Sequence, residues 1–178
     1  METLKHRAYS LTTPQPFIVH GLTFGTIERI DHRDRSNGLR IRSSNEGHLD
    51  LPDAVDISEQ LEAPRVFVVE GVDQSLFFVF GGQTCFWVST DLREADRLTL
   101  FRETHLEEYW TTTVLEQPNT LIFIYELGVL VIDERLRVLM HEGKLLNDVF
   151  VGIEVNTLKF VRDHEQEWLM PLAHESRA

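Results

Sequence analysis

"SLFFVFGGQTCFWVSTD", residues 75–91, sets an apolar aromatic run, a glycine pair and a second apolar run in immediate succession. Phenylalanine, valine and tryptophan suit a pleated, packed surface, and Gly81-Gly82 supplies the backbone freedom of a tight turn. The stretch is a β-hairpin. "TLIFIYELGVLVIDE", residues 120–134, repeats the plan about 45 residues later, with a strand, a glycine-bearing turn, a second strand and an acidic end. Such an offset is typical of propeller blades. A closed propeller needs at least four such units, and residues 1–64 show no clear copies, so the echo is taken as meander geometry.

The same grammar fills the rest of the chain. "RVFVVE", "RLTLFRE", "EYWTTTVLE", "RVLMHEG", "DVFVGIEV", "TLKFVRD" and "EWLMPL" are short β-like runs between turn signals. Runs such as "LFFVF" and "LIFIY" are apolar at every position, as in central strands covered on both faces. The expected fold is all-β with minor helix, an antiparallel meander forming a two-layer sandwich or open barrel, with a propeller-like meander as the alternative. Helical pieces are expected at 51–63, where Pro52 suits a first helical position, and at 91–97. Near the N-terminus, "FIVHGLTFGTIERID" leads through "HRDRSNG" to "LRIRS", and Asn37-Gly38 is expected to turn that hairpin.

A chain of 178 residues with 42% hydrophobic content is a natural single domain, 1–178, with ample material for a core. Residues 1–16 are expected to form a poorly ordered or loosely packed arm, and 173–178 a frayed end. Cys85 is the sole cysteine. It excludes an internal disulfide and reads as a small buried hydrophobe. With neither an apolar span of about 20 residues nor an apolar leader core, the expectation is a soluble, cytoplasmic protein without a membrane partner.

The net charge of −12 is unevenly spread. Residues 1–43 hold 7 basic and 4 acidic side chains, and the remainder 10 against 25. An acidic body repels phosphate backbones, which argues against nucleic acid, and favours encounter with a basic partner protein. It also serves solubility alone. Arg29, Arg33, Arg35, Arg40 and Arg42 form a basic strip interleaved with Glu28, Asp31 and Asp34, suited to local pairing or to self-association.

Chemical motifs are few. "RDHEQEWLM", 162–170, opens like the zinc motif H-E-x-x-H, but Trp168 stands where the second histidine must be, and an indole binds no metal. The segment is the polar tip of a hairpin. His48-Leu49-Asp50 has facial-triad spacing within a loop-like composition. His105 and His141 sit beside carboxylates, as some of 8 histidines among 29 acids must. There is no nucleophile elbow, phosphate loop or dinucleotide fingerprint. No catalytic residue, metal ligand or cofactor is therefore assigned. The expected binding residues are Trp110, His164, Glu165, Glu167 and Trp168, on a protein-interaction module for a basic partner. The alternative is a small enzyme or ligand-binding barrel whose histidines and carboxylates meet in a pocket formed by the fold.

Overall fold

A computed structural model describes residues 4–9, 15–19, 22–31, 37–43, 47–51, 66–81, 84–89, 95–99, 113–125, 127–143, 145, 148–162 and 166–172. Among them every regular element is a strand, and all strands pair antiparallel in four open sheets. The first sheet is the meander β2 (Gln15–Val19), β3 (Leu22–Asp31), β4 (Asn37–Ser43) and β5 (His48–Leu51). The second runs β6 (Val66–Glu70), β7 (Ser75–Gly81), β8 (Thr84–Ser89) and β9 (Ala95–Thr99), with β1 (Lys5–Tyr9) added beside β6. The third is β10 (Thr113–Gln117), β11 (Thr120–Tyr125), β12 (Gly128–Asp133) and β13 (Val138–Glu142). The fourth is β14 (Val149–Glu154), β15 (Thr157–Arg162) and β16 (Gln166–Pro171). The all-β antiparallel class expected from the sequence is thus the one observed.

The uniformly apolar strands explain how the sheets stack. Side chains alternate across a strand. Leu121, Phe123 and Tyr125 of β11, with Leu130 and Ile132 of β12, pack on Phe67, Val69, Leu76 and Phe78 of the second sheet. Ile122, Ile124, Val129 and Val131, from the same two strands, pack on Leu158, Phe160 and Met170 of the fourth. The third sheet is therefore covered on both faces, as a continuous apolar run requires. Phe123 meets Phe67 edge-on at 5.3 Å between ring centroids. On the far face of the second sheet, Phe77 meets Phe17 of β2 edge-on at 4.7 Å. The face-to-face packing of a sandwich is thus repeated along a stack in which chain neighbours are spatial neighbours.

The echo between residues 75–91 and 120–134 falls on β7–β8 and β11–β12, which hold equivalent places in adjacent meanders. Residues 15–51, where no copy was apparent, form a full four-stranded meander as well. Its strands are hard to see because β3 mixes glycine, threonine and charge.

Further differences have local causes. Asn37-Gly38 does not turn the hairpin: Asp31 pairs with Asn37 and Ile30 with Gly38, which puts both inside the ladder. Of the piece expected as helix at 91–97, residues 95–97 belong to β9, whose Leu98 packs on the core beside Cys85. Of the helix expected at 51–63, Leu51 ends β5 and the rest lies outside the described residues. Within the arm expected at 1–16, residues 5–9 form β1, and Leu4 and Tyr9 are buried. The Tyr9 hydroxyl accepts from the Ile18 N–H at 3.0 Å, beside the bulge by which β3 shifts register against β2. That bond satisfies a donor the irregular ladder would otherwise strand. Residues 173–178 lie outside the described residues.

Candidate interaction surface

Where the third sheet is dry on both sides, the fourth buries one face and leaves the other open. Directly opposed residues share a face. Leu158 with Met170 and Phe160 with Trp168 point into the core. Lys159 with Leu169, Val161 with Glu167 and Thr157 with Pro171 point away from it, and Val149 joins them opposite Val161. On this outer face Val149 is 55% exposed and Leu169 52%, and Val151, the residue bulged out of β14, is 50% exposed. Three half-exposed aliphatic side chains on one small sheet form an apolar patch of the kind that marks interaction sites.

Charge lies within this face: Lys159, on the central strand β15, stands between Leu169 and Gly152. Lys159 donates to the Glu167 carboxylate at 2.7 Å and lies 3.9 Å from the Glu154 carboxylate. The hydrogen bond to Glu167 holds the ammonium above its ordinary pKa, outweighing the opposing effect of burial. One cation between two carboxylates leaves the group net negative, and both acids are more exposed than the lysine between them.

The buried side of the sheet is pinned by Asp148, whose side chain has no exposed surface. Its carboxylate accepts two bonds from Arg162, both at 3.0 Å, and the Trp168 indole N–H at 3.0 Å. Trp168 stacks on Phe160 at 5.1 Å, and the Arg162 guanidinium lies 5.6 Å from the indole centroid. The indole is thereby committed on its face and at its N–H. Glu167 and Trp168, paired in the sequence reading, project to opposite sides of the sheet and do not converge. The hairpin tip itself is placed by the Arg162–Gln166 pairing that closes β15 onto β16. His164, Glu165 and Trp110 lie outside the described residues.

Sequence reasoning missed Val149, Val151 and Leu169. The signal was present in "DVFVGIEV" and "EWLMPL", which are apolar at consecutive positions and hence on both faces, in the last sheet of the chain.

Other polar groups have local occupations. His48-Leu49-Asp50 is strand rather than loop, and the Asp50 carboxylate takes a two-pronged contact from Arg40 at 2.6 and 2.7 Å. Part of the basic strip is thus paired within its own sheet. His141, on β13, shares a 2.7 Å hydrogen bond with the hydroxyl of buried Tyr125. Burial lowers its pKa, and the charge of Glu142 opposes the shift. His48 and His141 stand on different sheets. Asp133, the last residue of β12, accepts the side chain and N–H of Arg137 and the N–H of Arg135. Burial pushes that carboxyl up, but these bonds and the Arg137 charge outweigh it and the net shift is down. Cys85 is buried, and its burial drives the thiol far above the ordinary range. Among the described residues no group of three or more metal-ligating side chains comes together, and no helix is long and apolar enough to cross a membrane. Comparison with family models, with curated proteins and with solved structures finds no match.

Proposed function

We propose that the chain is a protein-interaction module that binds a basic partner protein through the outer face of its fourth sheet. The observation that carries this reading is the set Val149, Val151 and Leu169, half-exposed beside the net-negative group Glu154, Lys159 and Glu167. Exposed apolar side chains set beside charged ones mark a face suited to a protein partner. The overall charge of −12 draws a cationic surface toward it and gives the encounter a salt dependence. The partner's matching surface combines apolar side chains with lysine or arginine.

The test is capture from native lysate at low and moderate salt, comparing the wild type with Val151→Thr/Leu169→Thr. These substitutions keep β-branched or β-compatible side chains and leave the charge unchanged. The wild type retains a basic protein that is released as salt rises, and the double variant retains much less of it. Equal capture by the two proteins refutes the assignment of the face.

A further inference from the structure

The proposed function leaves open how the partner engages, and the backbone of β16 bears on that. The Leu172 N–H donates to the Asn156 carbonyl at 2.8 Å, which continues the β15–β16 ladder by one position. In an antiparallel strand the N–H and C=O of a residue face the same side, and that side alternates along the chain. The backbone groups of Leu172, Met170, Trp168 and Gln166 therefore face β15, and those of Pro171, Leu169 and Glu167 face away. Pro171 agrees with this parity, because proline is tolerated where the nitrogen is not needed by the ladder. β16 is the end of its sheet among the described residues. Its outer edge thus presents two donors, at Glu167 and Leu169, and three acceptors.

Two features say what fits there. The first is size: among the described residues the three preceding sheets are four, five and four strands wide, and the fourth is three wide. The second is an intramolecular precedent. β1, "KHRAY", is a basic extended segment that joins the edge of the second sheet from far along the chain, with Lys5 paired in register with Glu70. Its His6 Nδ1 contacts the Glu116 carboxylate at 2.8 Å. A basic strand laid on an acid-bearing edge is therefore a mode this chain already uses. At β16 the corresponding acid is Glu167, and Leu169 is the apolar neighbour.

We propose that the outer edge of β16 takes up an extended segment of the partner, with a basic and an apolar side chain two residues apart on one face, as a fourth strand of the sheet. This rests on the proposed function and adds the mode of engagement. A cationic side chain of the incoming strand stands opposite Glu167, an apolar one stands opposite Leu169, and the main-chain bonds run through the Glu167 and Leu169 amides.

The probe is a synthetic peptide about six residues long, as strands commonly are, in which a lysine and a valine stand two positions apart on one face. Its binding to the full chain is followed by fluorescence anisotropy. Leu169→Ala removes the side chain and keeps the donor. Leu169→Pro also removes the outward N–H, at a parity where Pro171 shows that proline is accommodated. Leu169→Ala weakens binding only through the lost apolar contact, and Leu169→Pro binds about tenfold more weakly than Leu169→Ala, the effect of also losing a main-chain bond. Amide exchange on the wild type adds a readout free of any variant: Glu167 and Leu169 gain protection when the peptide is added. Equal binding by Leu169→Pro and Leu169→Ala overturns the edge mode, as does the absence of peptide binding or of new protection at those two amides. Protection of both amides that grows with protein concentration alone, without peptide, assigns the edge to a second copy and also overturns it. In each of these cases lysate capture that still depends on Val151 and Leu169 leaves the proposed function standing.

Discussion

Arg162→Met is expected to cost more stability than Asp148→Asn, and the order of the two is the informative part. Asp148 has a fully covered side chain and holds three bonds, two from Arg162 and one from Trp168. Its partner is different: the Arg162 side chain is 35% exposed. Removing Arg162 leaves a buried carboxylate with only the indole N–H among these partners. Breaking a buried pair in this way costs about 3–5 kcal/mol. In Asp148→Asn the stranded group is a guanidinium that water can reach, so the cost falls to about 2–4 kcal/mol, the loss of charge-assisted bonds softened by hydration. For a chain of this size that corresponds to a fall in melting temperature of roughly 5–15 °C. The double variant costs less than the sum of the two, because neither charge remains to be stranded. Urea unfolding followed by circular dichroism gives all three values. An Arg162→Met variant milder than Asp148→Asn, or a double variant equal to the sum, refutes the reasoning that burial of Asp148 decides the energetics.

Three further outcomes follow from named contacts. Asp133→Asn destabilises the turn after β12 at neutral pH by about 1–3 kcal/mol. Because the folded pKa of Asp133 is depressed, that contribution is present above the ordinary carboxylate value of about 4 and is lost as pH falls below it, so urea midpoints of wild type and variant converge in acid. His141 behaves as a base favoured in its neutral form: from about pH 6.5 downward the unfolded chain binds the proton first, and stability falls. His141→Gln is expected to flatten that acid slope, which unfolding at pH 7 and pH 5 measures. Gly25→Ala brings a Cβ onto the carbonyl oxygen of Arg42 and the ring of Phe17, and is expected to lower the melting temperature more than a surface substitution does. A variant that melts with the wild type excludes the close approach of β3 to β4.

The parts legible in the sequence were those set by local alternation. Residues 75–91 and 120–134 declared their hairpins and double-sided burial because the runs 76–80 and 121–125 are apolar at every position. Residues 15–51 concealed a meander of equal size: Asn37-Gly38 imitates a turn, and His48-Leu49-Asp50 has the composition of a loop while serving as β5. β9 concealed itself as helix because it is only five residues long and, among the described side chains, Leu98 carries its core contact. The candidate surface was half legible. Glu167 was named, but with Trp168, whose adjacency in sequence means opposition across a strand. Val149, Val151 and Leu169 became a patch only once β14, β15 and β16 were set side by side. Contacts such as His6 with Glu116, 110 residues apart, depend on how sheets stack and leave no trace in local pattern.

The central claim is that the outer face of the fourth sheet, which sets exposed apolar side chains beside charged ones, binds a basic protein. Its most direct measurement is the salt dependence of association between the captured protein and Glu154→Lys/Glu167→Lys, set against the wild type by biolayer interferometry. The account predicts that charge reversal weakens binding at low salt and lowers the slope of affinity against salt, with the β-type circular dichroism retained although loss of the Lys159–Glu167 pair lowers the melting temperature. Affinity and slope that match the wild type would contradict it.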